Sequence, residues 1–208
     1  QATGLQTRAI LQDDFVKVRA GDIASVPVLD NDLHPDNAVM TVDQDLTKAA
    51  EQGLSFVTGD RVRYQAPAEP GVYTATYQVT DEFQQKAVAN VVFTVVPADA
   101  ENNLAPTAPT LTARVYAGAE VEVNVPLNGL DGDGDSVVFD GVTGAQSLGL
   151  VRSQTSESFV YEANPSLYGT DTFPYRVKDV YGATATGTIK IAVIERPAQD
   201  MSPIAVDD

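Results

Sequence analysis

The chain has 208 residues, a formal net charge of −16, and neither cysteine nor tryptophan. The lack of cysteine excludes thiol catalysis, disulfides and thiolate metal sites, and the negative charge argues against nucleic acid and anionic membranes as partners. No apolar run approaches the roughly 18 residues that cross a bilayer, so we expect no membrane contact by this segment. Cations are the natural counterpart of such a chain.

The dominant feature of the sequence is a tandem repeat. Gly71–Asp81 (GVYTATYQVTD) returns 98 positions later as Gly169–Asp179 (GTDTFPYRVKD), and other landmarks return after 97 to 99 positions. Asp207-Asp208 lie two periods beyond Asp13-Asp14, so we expect a third repeat to begin there. Targeting and anchoring signals are then expected outside this segment.

Apolar residues alternate with polar ones along short segments, which predicts strands, and no helical stripe is present. Such strands recur about every ten residues between Gly, Asp, Asn and Pro turns, a spacing typical of a seven-strand antiparallel sandwich. We therefore predict an all-β fold of two tandem seven-strand Ig-like, cadherin-like β-sandwiches. The residues expected in the core are Tyr77, Val79, Val91 and Phe93, with their counterparts Tyr175, Val177, Ile189 and Ile191.

The domain boundaries follow from the period and from proline-rich segments between the repeats. We assign 1–98 to the first sandwich, 99–108 to a linker, 109–197 to the second sandwich, and 198–208 to a linker and the start of a third repeat. Prolines make these connections stiff and non-helical.

The most chemically loaded segment is Asp131-Gly132-Asp133-Gly134-Asp135. Its carboxylates alternate with glycines, so their oxygens can converge on a hard cation such as Ca²⁺, although the spacing is not that of an EF-hand. The sandwich topology places the end of the sixth strand and the linker at the same end of the domain. We predict a Ca²⁺ site formed by Asp131, Asp133, Asp135 and Asp179, with Asp99 or Glu101 contributing from the linker.

An ordinary turn is the alternative explanation of this segment. Asp hydrogen-bonds its own backbone and Gly accepts positive φ, so Asp-Gly runs are common turn sequences. The first repeat carries a thinner acidic set, for which the same two alternatives are open. It consists of Asp30, Asn31, Asp32 and Asp36 with Asp81, and Asp13 and Asp14 at the entrance.

Several segments together resemble a known group of domains. They are Ala205–Asp208, Val28–Asp32, Leu130–Asp135 and Gly169–Asp179. With them the chain resembles the bacterial Ig-like, cadherin-like repeats that form arrays in large secreted or surface proteins, many of them actinobacterial. The resemblance implies an extracellular or cell-surface location, further Ig-like repeats of the same chain as partners, and junctions similar to the calcium-rigidified ones of cadherins.

No catalytic constellation is present in the sequence. His34, the only histidine, stands beside Pro35 in a polar segment, where we expect it to be solvated. We predict a monomeric, non-catalytic spacer segment of a bacterial extracellular protein, in a cell-surface stalk or adhesin rod. The alternatives are a calcium-dependent adhesion module and a carbohydrate-binding module, with a host or cell-surface protein or a glycan as partner. For a glycan the aromatic candidates are Tyr116, Tyr168 and Tyr181.

Overall fold

The computed structural model describes residues 7–196, so the predicted start of a third repeat lies outside the described residues. Contacts divide the chain into two compact units. The first unit contains the described residues up to Thr107 together with Pro126–Val138 and Val177–Ala185. The second contains Ala108–Val125, Phe139–Arg176 and the described residues from Thr186 onward. The predicted acidic segment of the second repeat thus belongs to the first compact unit.

The described residues form fourteen strands and no helix, as the period-two patterns predict. Within this part of the chain there is consequently no helix of the length and apolar character that a membrane crossing needs. The strands are β1 Asp14–Arg19, β2 Ile23–Pro27, β3 Met40–Val42, β4 Leu54–Thr58, β5 Arg61–Gln65, β6 Gly71–Asp81, β7 Lys86–Val96, β8 Leu111–Tyr116, β9 Glu120–Asn124, β10 Val137–Val142, β11 Gly149–Gln154, β12 Ser158–Ala163, β13 Gly169–Asp179 and β14 Thr184–Ile194.

Each repeat folds into a sandwich of seven strands, which confirms the predicted fold class. In the first repeat one sheet has the order β1-β7-β6-β3 and the other β2-β5-β4. The second repeat has the corresponding orders β10-β13-β14-β8 and β11-β12-β9. The first strand of each repeat runs parallel to the last, as β1 does to β7 and β8 does to β14.

The predicted core residues are confirmed, because all eight are completely buried. Aromatic contacts join the two sheets of each sandwich. In the first repeat the rings of Tyr64 and Phe93 stack with centroids 4.0 Å apart, and in the second those of Tyr161 and Phe173 stack at 5.9 Å. The alternation of apolar residues therefore gives the correct face of each strand.

The parallel strand pairs reveal one unequal position in the two repeats. Asp14 lies opposite Val91, and Leu111 lies opposite Ile189. Because Val91 and Ile189 are counterparts in the repeat, Asp14 occupies the position that Leu111 has in the second sandwich. Both side chains are buried, with 8% and 6% of their residue surface exposed. The first repeat thus has a buried carboxyl where the second has a core leucine.

Candidate cation site

The acidic loop, defined here as residues 131–135, brings three carboxylates together. Ligand atoms of Asp131, Asp133 and Asp135 all lie within 4.8 Å of one another. Asp131 also caps the turn, since its Oδ1 accepts the backbone N–H of Asp133 at 2.7 Å and that of Gly134 at 3.1 Å. The loop therefore has the hydrogen bonds of a turn and the convergent oxygens of a cation site at once.

A built-in cation, Arg19, lies at these carboxylates. Its Nη2 is 3.3 Å from Asp133 Oδ2, and its Nε is 3.2 Å from Asp135 Oδ1. The second contact is an ion pair by distance but lacks the direction of a hydrogen bond. The Arg19 side chain is only 8% exposed, and its Nη1 donates to the carbonyl oxygen of Pro97 at 3.1 Å. The Arg19 guanidinium thus supplies part of the positive charge that we expected Ca²⁺ to bring to the loop.

Further contacts hold the acidic loop against the first sandwich. Lys17 Nζ donates to the carbonyl oxygen of Gly132 at 2.9 Å. Ser136 donates its backbone N–H and its hydroxyl to the two carboxylate oxygens of Asp22, at 2.7 and 2.8 Å. Gly134 has φ of 90°, and a Cβ there would lie 2.9 Å from Lys17 Cγ, so this close approach requires glycine.

Two of the predicted ligands outside the loop, Asp179 and Asp99, have other partners. Asp179 accepts the backbone N–H of Ala183 and the side-chain N–H of Asn103, both at 2.8 Å. Asp99 caps the turn at Glu101 and Asn102, whose backbone N–H groups it accepts at 3.2 Å. Neither Asp99 nor Glu101 belongs to the group of converging carboxylates. Their role as ligands stays a prediction.

The acidic loop is not fully compensated by Arg19. The pKa of Asp135 is raised to about 6, mainly by burial, which outweighs the opposing charge of Arg19, and also by the charges of Asp131, Asp22 and Asp179. Both carboxylate oxygens of Asp135 and Oδ2 of Asp131 are buried without a hydrogen-bond partner. Buried carboxylate oxygens without hydrogen bonds fit a hard cation.

The prediction of a solvated His34 is wrong. The residue is 3% exposed, its Nε2 lies 3.2 Å from Asp81 Oδ2, and its Nδ1 accepts the backbone N–H of Asp36 at 3.2 Å and of Ala38 at 3.4 Å. Because Nδ1 accepts hydrogen bonds, Nε2 carries the proton and donates a hydrogen bond to Asp81 Oδ2. The local polarity of the sequence gave no sign that Asp81, 47 residues away, would cover the ring.

The tyrosines proposed for glycan binding are exposed to different degrees. Tyr168 is 65% exposed, Tyr116 45% and Tyr181 42%. Exposed tyrosines are common on protein surfaces. The carbohydrate-binding alternative therefore stays a prediction.

Comparison with known proteins identifies the repeats. The family model of the bacterial Ig domain matches residues 6–94 and 102–192, and thus covers most of the chain. No curated protein sequence matches significantly.

Solved structures with a similar course of the chain include three of different kinds. Sidekick-1 immunoglobulin domains 1–4 share 14% identity over 88% of this chain and 50% of that one, with a TM-score of 0.43. Human mucin-like protocadherin EC1-2 shares 16% over 91% and 99%, with a TM-score of 0.32. An endo-fucoidan hydrolase of glycoside hydrolase family 107 shares 14% over 90% of this chain, with a TM-score of 0.38. This chain spans only 29% of the hydrolase. Likenesses this distant carry no conclusion about activity or ligands.

Proposed function

The chain belongs to the bacterial Ig domain family, and on that premise we propose that it is a non-catalytic structural spacer of a bacterial extracellular protein. Domains of this family typically occur in extracellular or surface proteins, and tandem copies link further domains of the same chain. The role we assign is that of a monomeric segment in a cell-surface stalk or adhesin rod.

The observation that carries this proposal is the parallel pairing of the first and last strands. β1 and β7 are aligned over six residue pairs, from Asp14 with Val91 to Arg19 with Val96. β8 and β14 are aligned over six pairs in the same way. Force applied to the two ends of a repeat pulls parallel strands in opposite directions along their axes. Their hydrogen bonds are then loaded together in shear, which suits a domain that transmits tension.

Single-molecule force spectroscopy on the full chain tests this mechanical role. Proline lacks the backbone N–H and removes ladder hydrogen bonds. We expect Phe15→Pro or Val16→Pro to lower the unfolding force of one repeat, because alternate residues of β1 turn their N–H groups toward β7. Leu54→Pro in β4 is the control, since that strand pairs only with β5. Equal forces in all three variants and the parent would contradict the proposal.

A calcium-dependent module is the second candidate, and the acidic loop favours it. Asp131, Asp133 and Asp135 offer converging oxygens, three of which are buried without a hydrogen-bond partner. These residues would hold the ion, with Asp179 adding negative charge nearby. Arg19 competes for the same oxygens, since it is paired with two of the three carboxylates.

Thermal unfolding in CaCl₂ and in EDTA separates these two roles of the loop. If the loop binds Ca²⁺, the double variant Asp133→Asn with Asp135→Asn loses the part of the calcium-dependent rise in melting temperature that the loop contributes. Arg19→Met then binds Ca²⁺ more tightly than the parent, because its competing cation is gone. If Ca²⁺ changes the melting temperature of neither the parent nor Arg19→Met, the loop does not bind Ca²⁺ and is a turn neutralised by arginine.

A further inference from the structure

A second acidic cluster lies at the opposite end of β1 from Arg19. We call it the Asp14 pocket, a depression of about 280 Å³ whose polar lining includes Asp13, Asp14, Asp30 and Asn31. It lies within the first compact unit.

Asp14 is the unexplained residue of this pocket. It is 8% exposed, and its Oδ2 is buried without any hydrogen-bond partner. The same is true of Oδ1 of Asn31, which also lines the pocket. The second repeat has Leu111 at the equivalent position, so the sandwich itself does not need a carboxyl there. Buried polar atoms are normally satisfied, and two orphaned oxygens in one pocket point to a missing positive partner.

The surrounding side chains add negative charge and no cation. Asp32 accepts the Tyr77 hydroxyl at 3.2 Å and the backbone N–H of Gln12 at 2.9 Å. None of the ion pairs found among the described residues involves Asp13, Asp14, Asp30 or Asp32. The acidic loop differs in this respect, because Arg19 forms ion pairs with Asp133 and Asp135.

The electrostatics of Asp14 agree with this geometry. The pKa of Asp14 is raised to about 7, mainly by burial and also by the charges of Asp32, Asp13 and Asp30, against a hydrogen bond from Tyr77. In the absence of a cation the pocket therefore favours the protonated form of Asp14 over the ionised carboxylate. A bound divalent ion would reverse that preference.

We propose that the Asp14 pocket binds a hard divalent cation of the Ca²⁺ class, with Asp14, Asn31 and Asp30 as its protein ligands. The available donors are carboxylate and amide oxygens, which suit Ca²⁺ and not the softer transition metals. Ca²⁺ accepts irregular sites with several waters, as a pocket between a strand end and a loop requires. Asp13 and Asp32 supply further negative charge close to the ion.

Terbium provides a direct probe, since Tb³⁺ replaces Ca²⁺ and emits when excited through a nearby aromatic ring. The chain has no tryptophan, so tyrosine is the sensitiser, and the Tyr77 hydroxyl hydrogen-bonds to Asp32 beside the pocket. We expect tyrosine-sensitised Tb³⁺ emission from the parent that excess Ca²⁺ displaces. Asp14→Leu copies the second repeat and is expected to fold, but to lower Tb³⁺ and Ca²⁺ affinity by at least about tenfold.

Melting in CaCl₂ against EDTA gives an independent readout. Saturating Ca²⁺ should raise the melting temperature of the parent by about 5 °C or more, and Mg²⁺ should do less. In the double variant Asp133→Asn with Asp135→Asn, which lacks two of the acidic-loop carboxylates, a calcium-dependent rise should remain, and adding Asp14→Leu or the isosteric Asp14→Asn should abolish it. The proposal is overturned if the parent binds neither ion, or if the rise survives both Asp14 variants. A rise lost only in the Asp133, Asp135 double variant would place the ion in the acidic loop instead.

Discussion

Two buried aspartates show how differently this fold can treat a carboxyl group. Asp171 is completely buried, and it accepts hydrogen bonds from the backbone and hydroxyl of Ser147, from Leu148 and from Tyr161, at 2.7 to 3.1 Å. Burial alone would raise the pKa of Asp171, but these hydrogen bonds outweigh it and hold the pKa below its usual value. Asp14 has no such set of donors, and its pKa is raised to about 7. The hydrogen-bond donors around a buried carboxylate, more than its depth of burial, decide whether it stays ionised.

The pH dependence of stability should reveal Asp14. Its raised pKa means that the folded state keeps a proton that the unfolded chain releases at its ordinary pKa of 3.8. The resulting stability is fully present below pH 3.8 and is lost as the pH rises through about 7. Asp14→Leu lacks this group, so in EDTA its advantage in melting temperature over the parent should grow from about pH 4 to about pH 8.

An exposed aspartate provides the control for this titration. Asp45 is exposed, so Asp45→Asn is the matched variant that removes one carboxylate from the surface. Parallel profiles for the parent and Asp14→Leu would show that Asp14 is compensated in a way that its contacts do not reveal.

At the scale of strands, both repeats place a glycine against a core tyrosine. In β11 a Cβ at Gly149 would lie 2.5 Å from Tyr161 Cζ, and in the first repeat a Cβ at Gly53 would lie 2.8 Å from Tyr64 Cε2. Real Cβ atoms do not approach this closely, so each tyrosine occupies space that only glycine leaves free. A backbone carbonyl oxygen, that of Gln65 at Gly53 and that of Glu162 at Gly149, would be closer still to the Cβ.

Gly149→Ala should therefore destabilise the second sandwich by about 1–3 kcal/mol, because the ring and the strand must shift to admit a methyl group. Gly132→Ala is the matched control, since a Cβ there would meet no atom within 4 Å and the backbone at this position is not left-handed. Its effect should stay within about 0.5 kcal/mol. Urea unfolding followed by tyrosine fluorescence measures both. Similar losses in the two variants would mean that the close contact at Tyr161 is relieved without cost.

Strand positions and the buried face of each strand were predictable from the sequence because they depend on local alternation. The partners of the acidic loop were not. Lys17 and Gly132 are 115 residues apart, and no local pattern in β1 marks Lys17 or Arg19 as a neighbour of a loop so distant in sequence. The period of the repeat predicts equivalent positions, yet it does not predict which loop a given charge will meet.

For the whole molecule, the tandem repeat carried most of the correct prediction. It defined two sandwiches and eight core residues, all of them buried. It gave no sign that His34, expected to be solvated because it stands beside Pro35 in a polar segment, would be buried against Asp81. Where the repeats differ, as at Asp14 and Leu111, comparison of their registers was needed to recognise the exception.

The parallel pairing of β1 with β7 also determines when a repeat can complete its folding. Asp14 and Val91 lie at the two ends of the repeat in sequence, and closing that pair requires nearly all of the intervening chain. Contacts of such long sequence separation slow folding, because loop entropy is lost before the strands can pair. As the chain emerges from the ribosome, β1 has no partner in its sheet until β7 follows. Each sandwich therefore matures as a whole and in order along the array, and its first strand stays an open edge until the last one arrives.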